Sequence, residues 1–387
     1  MGVLRAEPVR VREWTARSVG AAWRAFDWQM TIFAVLLVGI GLAMAYSNSV
    51  AAGTPVLGLR STFTRGLIWA AVGSVVYVAA VAFDYRWLKT FAWPLYVVNL
   101  GLLVASMLIG DGQGGSARWV SILGFQFQFS ELAKILMIVV LANFLASRQH
   151  ALDSLSTILG AGALVVPAIA LVMLQPDLGT SLVLGAILAG MLFMSGASLR
   201  WLAILSGLIV GTIPFIWANI LHDYQKQRLL SFLNPSAADP QGAGYQLAQS
   251  QIAVASGGLF GKGLTNGTQN QLDFLPVQTT DFVFALVGEE LGFLGAVLVF
   301  SLFVALIWRI LLSAWRARDP FGLSMAAGLA SMLVFQLIVN VGMVIGVMPI
   351  TGIPLPFITH GGASLVSIAL GLGILQSINI RQARAEW

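Results

Sequence analysis

The sequence contains no cysteine, only three histidines and few charged residues. Without cysteine, the chain has no disulfide, no thiolate nucleophile and no Cys-ligated metal site. The histidines are far apart and lack the spacing of metal ligands. Charged residues make up 10% of the 387 residues and hydrophobic residues 58%, whereas about 25% of a soluble domain is charged. Because one core could not bury that much apolar surface, lipid must cover the outside of the protein.

The apolar residues occur in runs of about 20, which is the length that crosses a bilayer as a helix. The runs show no strict alternation, so they predict helices and not the strands of a barrel. The sequence thus predicts an all-α polytopic integral membrane protein with about ten transmembrane helices. The predicted spans are 28–47, 66–83, 88–109, 131–147, 155–174, 178–196, 201–221, 281–312, 321–347 and 363–380.

The basic residues predict the orientation of these spans. With the N-terminus in the cytoplasm, most Lys and Arg residues fall in cytoplasmic segments, as the positive-inside rule requires. This bias also explains the net charge of +5, so we predict no nucleic-acid partner. We expect a cytoplasmic tail (1–27), one transmembrane domain (28–380) with a large extracytoplasmic loop (222–280), and a second cytoplasmic tail (381–387).

Polar residues concentrate on the extracytoplasmic side. Ser130 is suited to be the N-cap of the fourth span, and Glu131 and Lys134 share a face of its first turn. The alternatives are a cap with a local ion pair, or a charged pair facing a cavity, because charges are costly in an apolar span. Asp177 follows Pro176 and is more typical of a helix cap than of a site residue.

The large loop is rich in glycine and ends at another carboxylate. Its glycines indicate a packed, turned lid, in which backbone amides can approach an anion. Asp281 stands where the lid meets the next span, and a helix-start carboxylate is the alternative interpretation. Glu289 and Glu290 follow in the same apolar run, so we expect them to face the protein interior. His360, in a segment rich in proline and glycine, is more typical of a hydrogen-bonded polar residue than of a catalyst.

Together, these blocks resemble the SEDS family of bacterial cell-wall polymerases, the RodA/FtsW/SpoVE group. The similarity extends over nearly the whole chain and keeps the order of the family's motifs. It is strongest from Arg228–Leu229–Leu230–Ser231–Phe232–Leu233–Asn234–Pro235 to Ala285, and Gly267–Thr268–Gln269–Asn270–Gln271–Leu272–Asp273–Phe274–Leu275–Pro276 resembles RodA more than FtsW.

The resemblance implies a ten-span fold in the bacterial plasma membrane. It also implies a glycosyltransferase that joins lipid II units into β-1,4 glycan strands and releases undecaprenyl pyrophosphate. The expected partners are lipid II, membrane lipid and a class B penicillin-binding protein. The RodA likeness favours a role in elongation and cell shape, and leaves cell division open.

Asp281 matches the family's essential aspartate, and a carboxylate base is what an attacking sugar hydroxyl needs. A pyrophosphate leaving group needs cations or amides more than it needs a proton. Candidate substrate-binding residues are Arg118, Trp119, Glu131, Lys134, Asp177, Gln249, Ser250, Lys262, Thr280 and Ser364.

Several positions depart from the common pattern of the family. Val277 and Thr279 replace a Glu and a His or Tyr, Phe129 replaces a Pro, and His360 stands where Tyr is frequent. The sequence shows no complete metal shell, so no cofactor is assigned and the use of Mg²⁺ or Mn²⁺ stays open.

Two other functions remain alternatives at this point. Buried charges would also suit a flippase or transporter of the lipid-linked precursor. A flippase needs polar groups through the depth of the membrane, however, and here they concentrate at one face. The third alternative is a catalytically silent scaffold for the penicillin-binding protein.

Overall fold

The computed structural model describes residues 25–110, 119–122, 125–219, 221–233, 242–272, 274 and 281–384. Within these ranges the protein is a helical bundle with one short hairpin. The helices are α1 (Trp28–Ala51), α2 (Thr62–Ala82), α3 (Arg86–Thr90), α4 (Ala92–Ile109), α5 (Phe129–Ser147), α6 (Leu155–Leu174), α7 (Leu178–Met194), α8 (Leu199–Asn219), α9 (Asp223–Leu233), α10 (Ala243–Ser256), α11 (Thr268–Gln271), α12 (Val283–Arg316), α13 (Pro320–Val344) and α14 (Gly362–Arg384).

The predicted all-α membrane fold is confirmed. In the described part of the chain, nine helices are long and apolar enough to cross a membrane, and α7 is a shorter apolar helix of 17 residues. These ten helices correspond to the ten predicted spans. The span predicted at 88–109 is divided at Phe91 into α3 and α4.

The helices differ in how much of their surface other helices cover. In α5, α13 and α14, 72% of the apolar stretch is buried, whereas none of α8 is. The three buried helices form the centre of the bundle, and α8 stands at its edge, where lipid is the natural solvent for its apolar side chains.

Ion pairs join the helices at one end of the bundle. Arg309 of α12 binds Asp27, the N-cap of α1, with Nη2 2.7 Å and Nε 3.0 Å from Oδ2. Lys89 binds Asp319, the N-cap of α13. Because consecutive spans alternate in direction, the opposite end carries the hairpin, the large loop and the connector between α13 and α14, residues 345–361.

The prediction missed the β-hairpin. Strands β1 (Val120–Ile122) and β2 (Phe125–Phe127) pair antiparallel, with Ser121 opposite Gln126. The strands are three residues long, too short for a visible period-two pattern. The predicted N-cap at Ser130 is wrong, because α5 begins at Phe129 after Gln128 and the buried Ser130 hydroxyl makes no hydrogen bond in the described structure.

The large loop contains three helices, α9 to α11, and a glycine turn that packs on α12. At Gly292 the backbone of α12 leaves the helical region, with φ 69° and ψ −167°. The amides of Phe293 and Leu294 donate to the carbonyls of Gly258 and Leu259, at 2.9 and 3.1 Å. The backbone groups freed by the break are thus hydrogen-bonded by the loop, as irregular backbone inside a membrane protein requires.

Candidate functional site

Asp281 lies directly before α12, at the end of the bundle that carries the large loop. Its side chain is half-buried. The buried Asn340 of α13 donates from Nδ2 to the backbone oxygens of Asp281, at 2.9 Å, and Ile353, at 2.8 Å. One amide therefore fixes the start of α12 against the α13–α14 connector, and with it the position of the carboxylate.

Asp281 lines a small cavity of about 60 Å³, which we term the aspartate cavity. The cavity lies among the start of α7, the helix α9, the start of α12 and the connector. Its lining residues are Pro176, Asp177, Leu178, Gln225, Arg228, Leu229, Asp281, Pro349, Ile350, Thr351 and Gly352. Ligand pockets usually have volumes of about 300–1,000 Å³, so this cavity must widen before a sugar can enter.

Arg228 and Asp281 meet beside Gly352. A Cβ placed on Gly352 would lie 3.4 Å from Oδ2 of Asp281 and 3.5 Å from Nη1 of Arg228. The two opposite charges therefore face the same point, and Gly352, with φ +72°, leaves that point free of a side chain. A guanidinium beside the carboxylate provides a planar set of donors for phosphate oxygens.

Asp177 is a helix cap and also lines the aspartate cavity. Its Oδ1 accepts from the amide of Thr180 at 3.0 Å, and its Oδ2 accepts from the Thr180 hydroxyl at 2.9 Å. Gln128, just before α5, donates to the same Oδ2 at 3.0 Å. The predicted cap is confirmed, and the carboxylate also ties α7 to the residue that follows the hairpin.

Two further polar groups in the aspartate cavity have no partner in the described structure. Nε2 of Gln225 and Oγ1 of Thr351 are buried without a hydrogen bond. Gln225 is held by its other end, since Oε1 accepts from the amide of His222 at 3.0 Å. A buried donor that is left unpaired costs about 1–3 kcal/mol, so a bound ligand that accepts from these groups would recover that energy.

Glu131 and Lys134 form the ion pair that their spacing predicts. Nζ of Lys134 lies 2.8 Å from Oε1 of Glu131, and both side chains are almost fully buried near the start of α5. Oε2 of Glu131 has no hydrogen-bond partner in the part of the chain described. Neither residue lines the aspartate cavity, so their contact with substrate stays a prediction.

Trp119 lines a different and larger cavity of about 270 Å³, which we term the arginine cavity. It lies among α1, the start of α2, the hairpin and the start of α14. The structure therefore brings Asp177 together with Asp281 and places Trp119 apart from them. The lining residues of the arginine cavity are Val38, Gly41, Leu42, Arg60, Thr62, Arg65, Gly66, Trp69, Trp119, Gln126, Ile358, Thr359, His360, Gly361, Gly362 and Leu365.

Four other predicted residues lie outside both cavities as the structure describes them. Ser250 is buried and donates to Val344 at 3.0 Å, which joins α10 to α13. Lys262 binds the buried Glu289 at 2.7 Å. Gln249 is half-buried in α10, and Ser364 is buried in the first turn of α14. Their roles toward substrate stay predictions.

Some of the predictions fall on residues outside the described ranges. These residues are Arg118 and Thr280 of the substrate-binding set, and Val277 and Thr279 of the departures from the family pattern.

Glu289 and Glu290 face the interior, as their place in an apolar run predicts. Oε1 of Glu289 accepts from Lys262 and from the amide of Gln269, at 2.7 and 3.0 Å. Glu290 accepts from the Ser47 hydroxyl of α1. The two carboxylates thus fasten the glycine-rich loop to α12 and α1.

The sequence interpretation missed three residues of the site: Arg228, Gln225 and Asn340. A signal for Arg228 was present, because a basic residue in an extracytoplasmic segment opposes the positive-inside bias. Gln225 and Asn340 are uncharged and carry no local pattern that would mark them.

Within the described residues, no group of three or more His, Asp or Glu side chains could hold a metal ion. The donor set at Asp281 and Asp177 does not by itself form a metal site, and the use of Mg²⁺ or Mn²⁺ stays open.

The family model FtsW/RodA/SpoVE, described as a cell cycle protein, matches residues 27–384. The chain belongs to this family.

Curated relatives agree with this assignment. The peptidoglycan glycosyltransferase MrdB of Escherichia coli K12 is 41% identical over 309 residues, which cover 80% of this chain and 83% of MrdB. The stage V sporulation protein E of Bacillus subtilis is 36% identical over 91% of this chain and 96% of its own.

A solved structure shares the fold. A chain from a peptidoglycan synthase complex that coordinates polymerization and crosslinking matches with a TM-score of 0.77 and 30% identity. The match covers 93% of this chain and 99% of that chain.

Proposed function

We propose that this chain polymerises lipid II into β-1,4 glycan strands for cell elongation and shape, at the aspartate cavity. It is a peptidoglycan glycosyltransferase of the FtsW/RodA/SpoVE family. The observation that carries the proposal is the placement of Asp281 beside Arg228 in a cavity at one end of the membrane bundle.

The proposed reaction needs one base and one set of donors. Asp281 takes the proton of the acceptor hydroxyl while the hydroxyl oxygen attacks the anomeric carbon of the donor sugar. The new C–O bond forms as the bond from that carbon to the pyrophosphate oxygen breaks, and the bonding electrons leave with the pyrophosphate. Arg228 and Nε2 of Gln225 line the same cavity and are the groups we assign to the leaving pyrophosphate.

A lipid-linked substrate explains why a sugar-handling carboxylate lies at the end of a membrane helix. The isoprenoid tail stays in the bilayer, and the pyrophosphate links it to the sugar at the membrane surface. The reacting atoms therefore stay at the depth of the helix ends. We place this end of the bundle outside the cytoplasm in the bacterial plasma membrane, and both termini inside, on the distribution of basic residues.

Entry of substrate requires the aspartate cavity to widen. Gln225 and Arg228 reside on α9, which follows α8, the helix with no buried share in its apolar stretch. An outward movement of α8 breaks few contacts and would draw the attached α9 with it, so we propose that this wall opens.

The partner we propose is a class B penicillin-binding protein. The solved relative comes from a synthase complex that joins polymerization to crosslinking. A polymerase that works beside a crosslinking enzyme would deliver its strands directly to that enzyme.

The test is polymerisation of purified lipid II by the full chain together with its penicillin-binding protein. The change Asp281→Asn keeps the size of the side chain and removes the base, so we expect a loss of about 10²–10⁴-fold in rate. The matched control is Asp153→Asn, an exposed aspartate between α5 and α6 at the other end of the bundle, which we expect to leave the rate unchanged.

Two outcomes would contradict the proposal. Full polymerisation by the Asp281→Asn protein would leave Asp281 without a catalytic role. Transport of lipid II across the vesicle membrane by the wild-type protein, with no glycan product when the partner is present, would favour the function of a flippase.

A further inference from the structure

We propose that the arginine cavity binds the phosphate group of a membrane lipid, with the start of the lipid tail lying against α1 and α14. The cavity shares no lining residue with the aspartate cavity, as both are described. It is therefore a second site, distinct from the position of Asp281.

The lining of the arginine cavity carries positive charge that no lining carboxylate balances. Arg60 and Arg65 both line it, and its described lining contains no Asp or Glu. Arg65 uses Nε for the carbonyl of Leu59, at 3.2 Å. That bond orients the guanidinium and leaves its two Nη groups for an anion. Arginine is well suited to phosphate recognition, because its planar guanidinium offers several N–H donors to the phosphate oxygens.

Neutral donors complete the polar half of the cavity. The Thr62 oxygen accepts from Nδ2 of Asn48 at 3.1 Å, so the Thr62 hydroxyl hydrogen can point elsewhere. Gly361 and Gly362 line the cavity at the start of the 23-residue helix α14. The positive end of a helix dipole therefore adds to the attraction that the arginines exert on an anion.

The other half of the cavity is apolar. Val38 and Leu42 of α1 and Leu365 of α14 line it. A free phosphate would leave these side chains unused, whereas an amphiphile would contact both halves. This division favours a lipid phosphate over a soluble anion.

The wall of the cavity is built by close packing and is not a gap between loose side chains. A Cβ on Gly41 would lie 2.6 Å from the carbonyl oxygen of Phe357, and a Cβ on Gly362 would lie 2.1 Å from the ring of Trp69. Both glycines therefore let α1 and α2 approach the connector and the start of α14 directly. The two arginines are exposed and line the edge of this cleft.

Two kinds of lipid carry the required chemistry: a phospholipid and an isoprenoid phosphate. The isoprenoid would link this cavity to the proposed polymerisation, and that link alone rests on the proposed function. The binding itself does not, because it is measured without lipid II or turnover.

The experiment measures binding to the full chain in detergent by native mass spectrometry. The probes are dioctanoyl phosphatidylglycerol, dioctanoyl phosphatidylcholine, undecaprenyl phosphate and inorganic pyrophosphate. The test variant is Arg60→Gln with Arg65→Gln, and the matched control is Arg86→Gln with Arg200→Gln, which removes the same charge at the other end of the bundle. The variant Arg60→Lys with Arg65→Lys keeps both charges. It reports whether the protein still folds when these two side chains are changed.

We expect the wild type and the control to bind an anionic lipid at least about tenfold more tightly than phosphatidylcholine, and the test variant to lose that preference. The lysine variant should retain part of it. Selective binding of phosphatidylglycerol identifies a phospholipid site, and selective binding of undecaprenyl phosphate identifies an isoprenoid site.

Three results would overturn the proposal. The first is the same preference for anionic lipid in the test variant and the control. The second is equal affinity for inorganic pyrophosphate and for the lipids, because the tail would then contribute nothing. The third is a wild type that does not distinguish phosphatidylcholine from either anionic lipid.

Discussion

At the scale of single residues, the buried pair of Glu131 and Lys134 shows how local spacing becomes structure. Three residues apart on one helix, the two charges reach each other without help from another element. Removing water from both ions is costly, and their mutual attraction repays this cost only while both are present.

This asymmetry predicts how the pair responds to mutation. We expect Glu131→Gln or Lys134→Met alone to destabilise the protein by about 3–5 kcal/mol, because one buried charge is left unpaired. The double variant should be nearer to the wild type than either single variant. Thermal unfolding in detergent measures all three proteins against the wild type. Destabilisations that simply add in the double variant would contradict the coupling of the two charges.

At the same scale, Asp281 depends on residues that are distant in sequence. Arg228 comes from α9, Asp177 from the start of α7, and Asn340 from α13. The sequence could predict the carboxylate from its place before an apolar run and from the family resemblance. It could not predict which cation or amide would meet it, because that depends on how separate helices pack.

At the scale of elements, the ten apolar helices could be predicted because the bilayer fixes their length and composition. The break in α12 could not. Gly292 follows Glu289 and Glu290 closely in an otherwise apolar run, but neither two acids nor a single glycine is enough to predict a break in a span. Its cause lies in the loop, whose carbonyls at Gly258 and Leu259 accept the amides beyond the break.

The glycine turn against this break gives a prediction for the element. A Cβ on Gly261, where φ is +79°, would lie 2.1 Å from the carbonyl oxygen of Glu290. We expect Gly261→Ala to lower the free energy of unfolding by more than about 2 kcal/mol, through backbone strain and the clash.

The control for this prediction is Gly211→Ala in α8, where a Cβ would meet no atom within 4 Å. That change should be neutral or stabilising by about 1 kcal/mol, because alanine favours a helix. Chemical denaturation in detergent compares the two variants. Equal stability of both would show that the turn does not pack closely against the break.

At the scale of the whole molecule, the bundle combines a closely packed centre with one edge helix that makes few buried contacts. The centre consists of α5, α13 and α14, and α8 has no buried share in its apolar stretch. Segments with few buried contacts open at the lowest cost in free energy. The helix α8 is also joined to the wall of the aspartate cavity through α9.

We therefore expect α8 to sample more positions than its neighbours. Because the chain has no cysteine, spin labels attach only at introduced sites. The pair Val35→Cys with Leu208→Cys reports α8, and the pair Val35→Cys with Val166→Cys reports α6. All three positions are exposed. Pulsed electron resonance should give a broader distance distribution for the first pair, and equal widths would contradict the expected mobility of α8.

The pairing of the glycine turn with α12 has a consequence for how the protein is made. The carbonyls of Glu289 and Glu290 accept from the amides of Lys262 and Gly263, and the amides beyond Gly292 donate to the turn. If α12 entered the bilayer before the turn had docked, these backbone groups would lie in hydrocarbon without hydrogen-bond partners, or α12 would form one continuous helix through Gly292. We therefore expect the break in α12 to form only when the glycine turn, which is translated before α12, docks against it during membrane insertion.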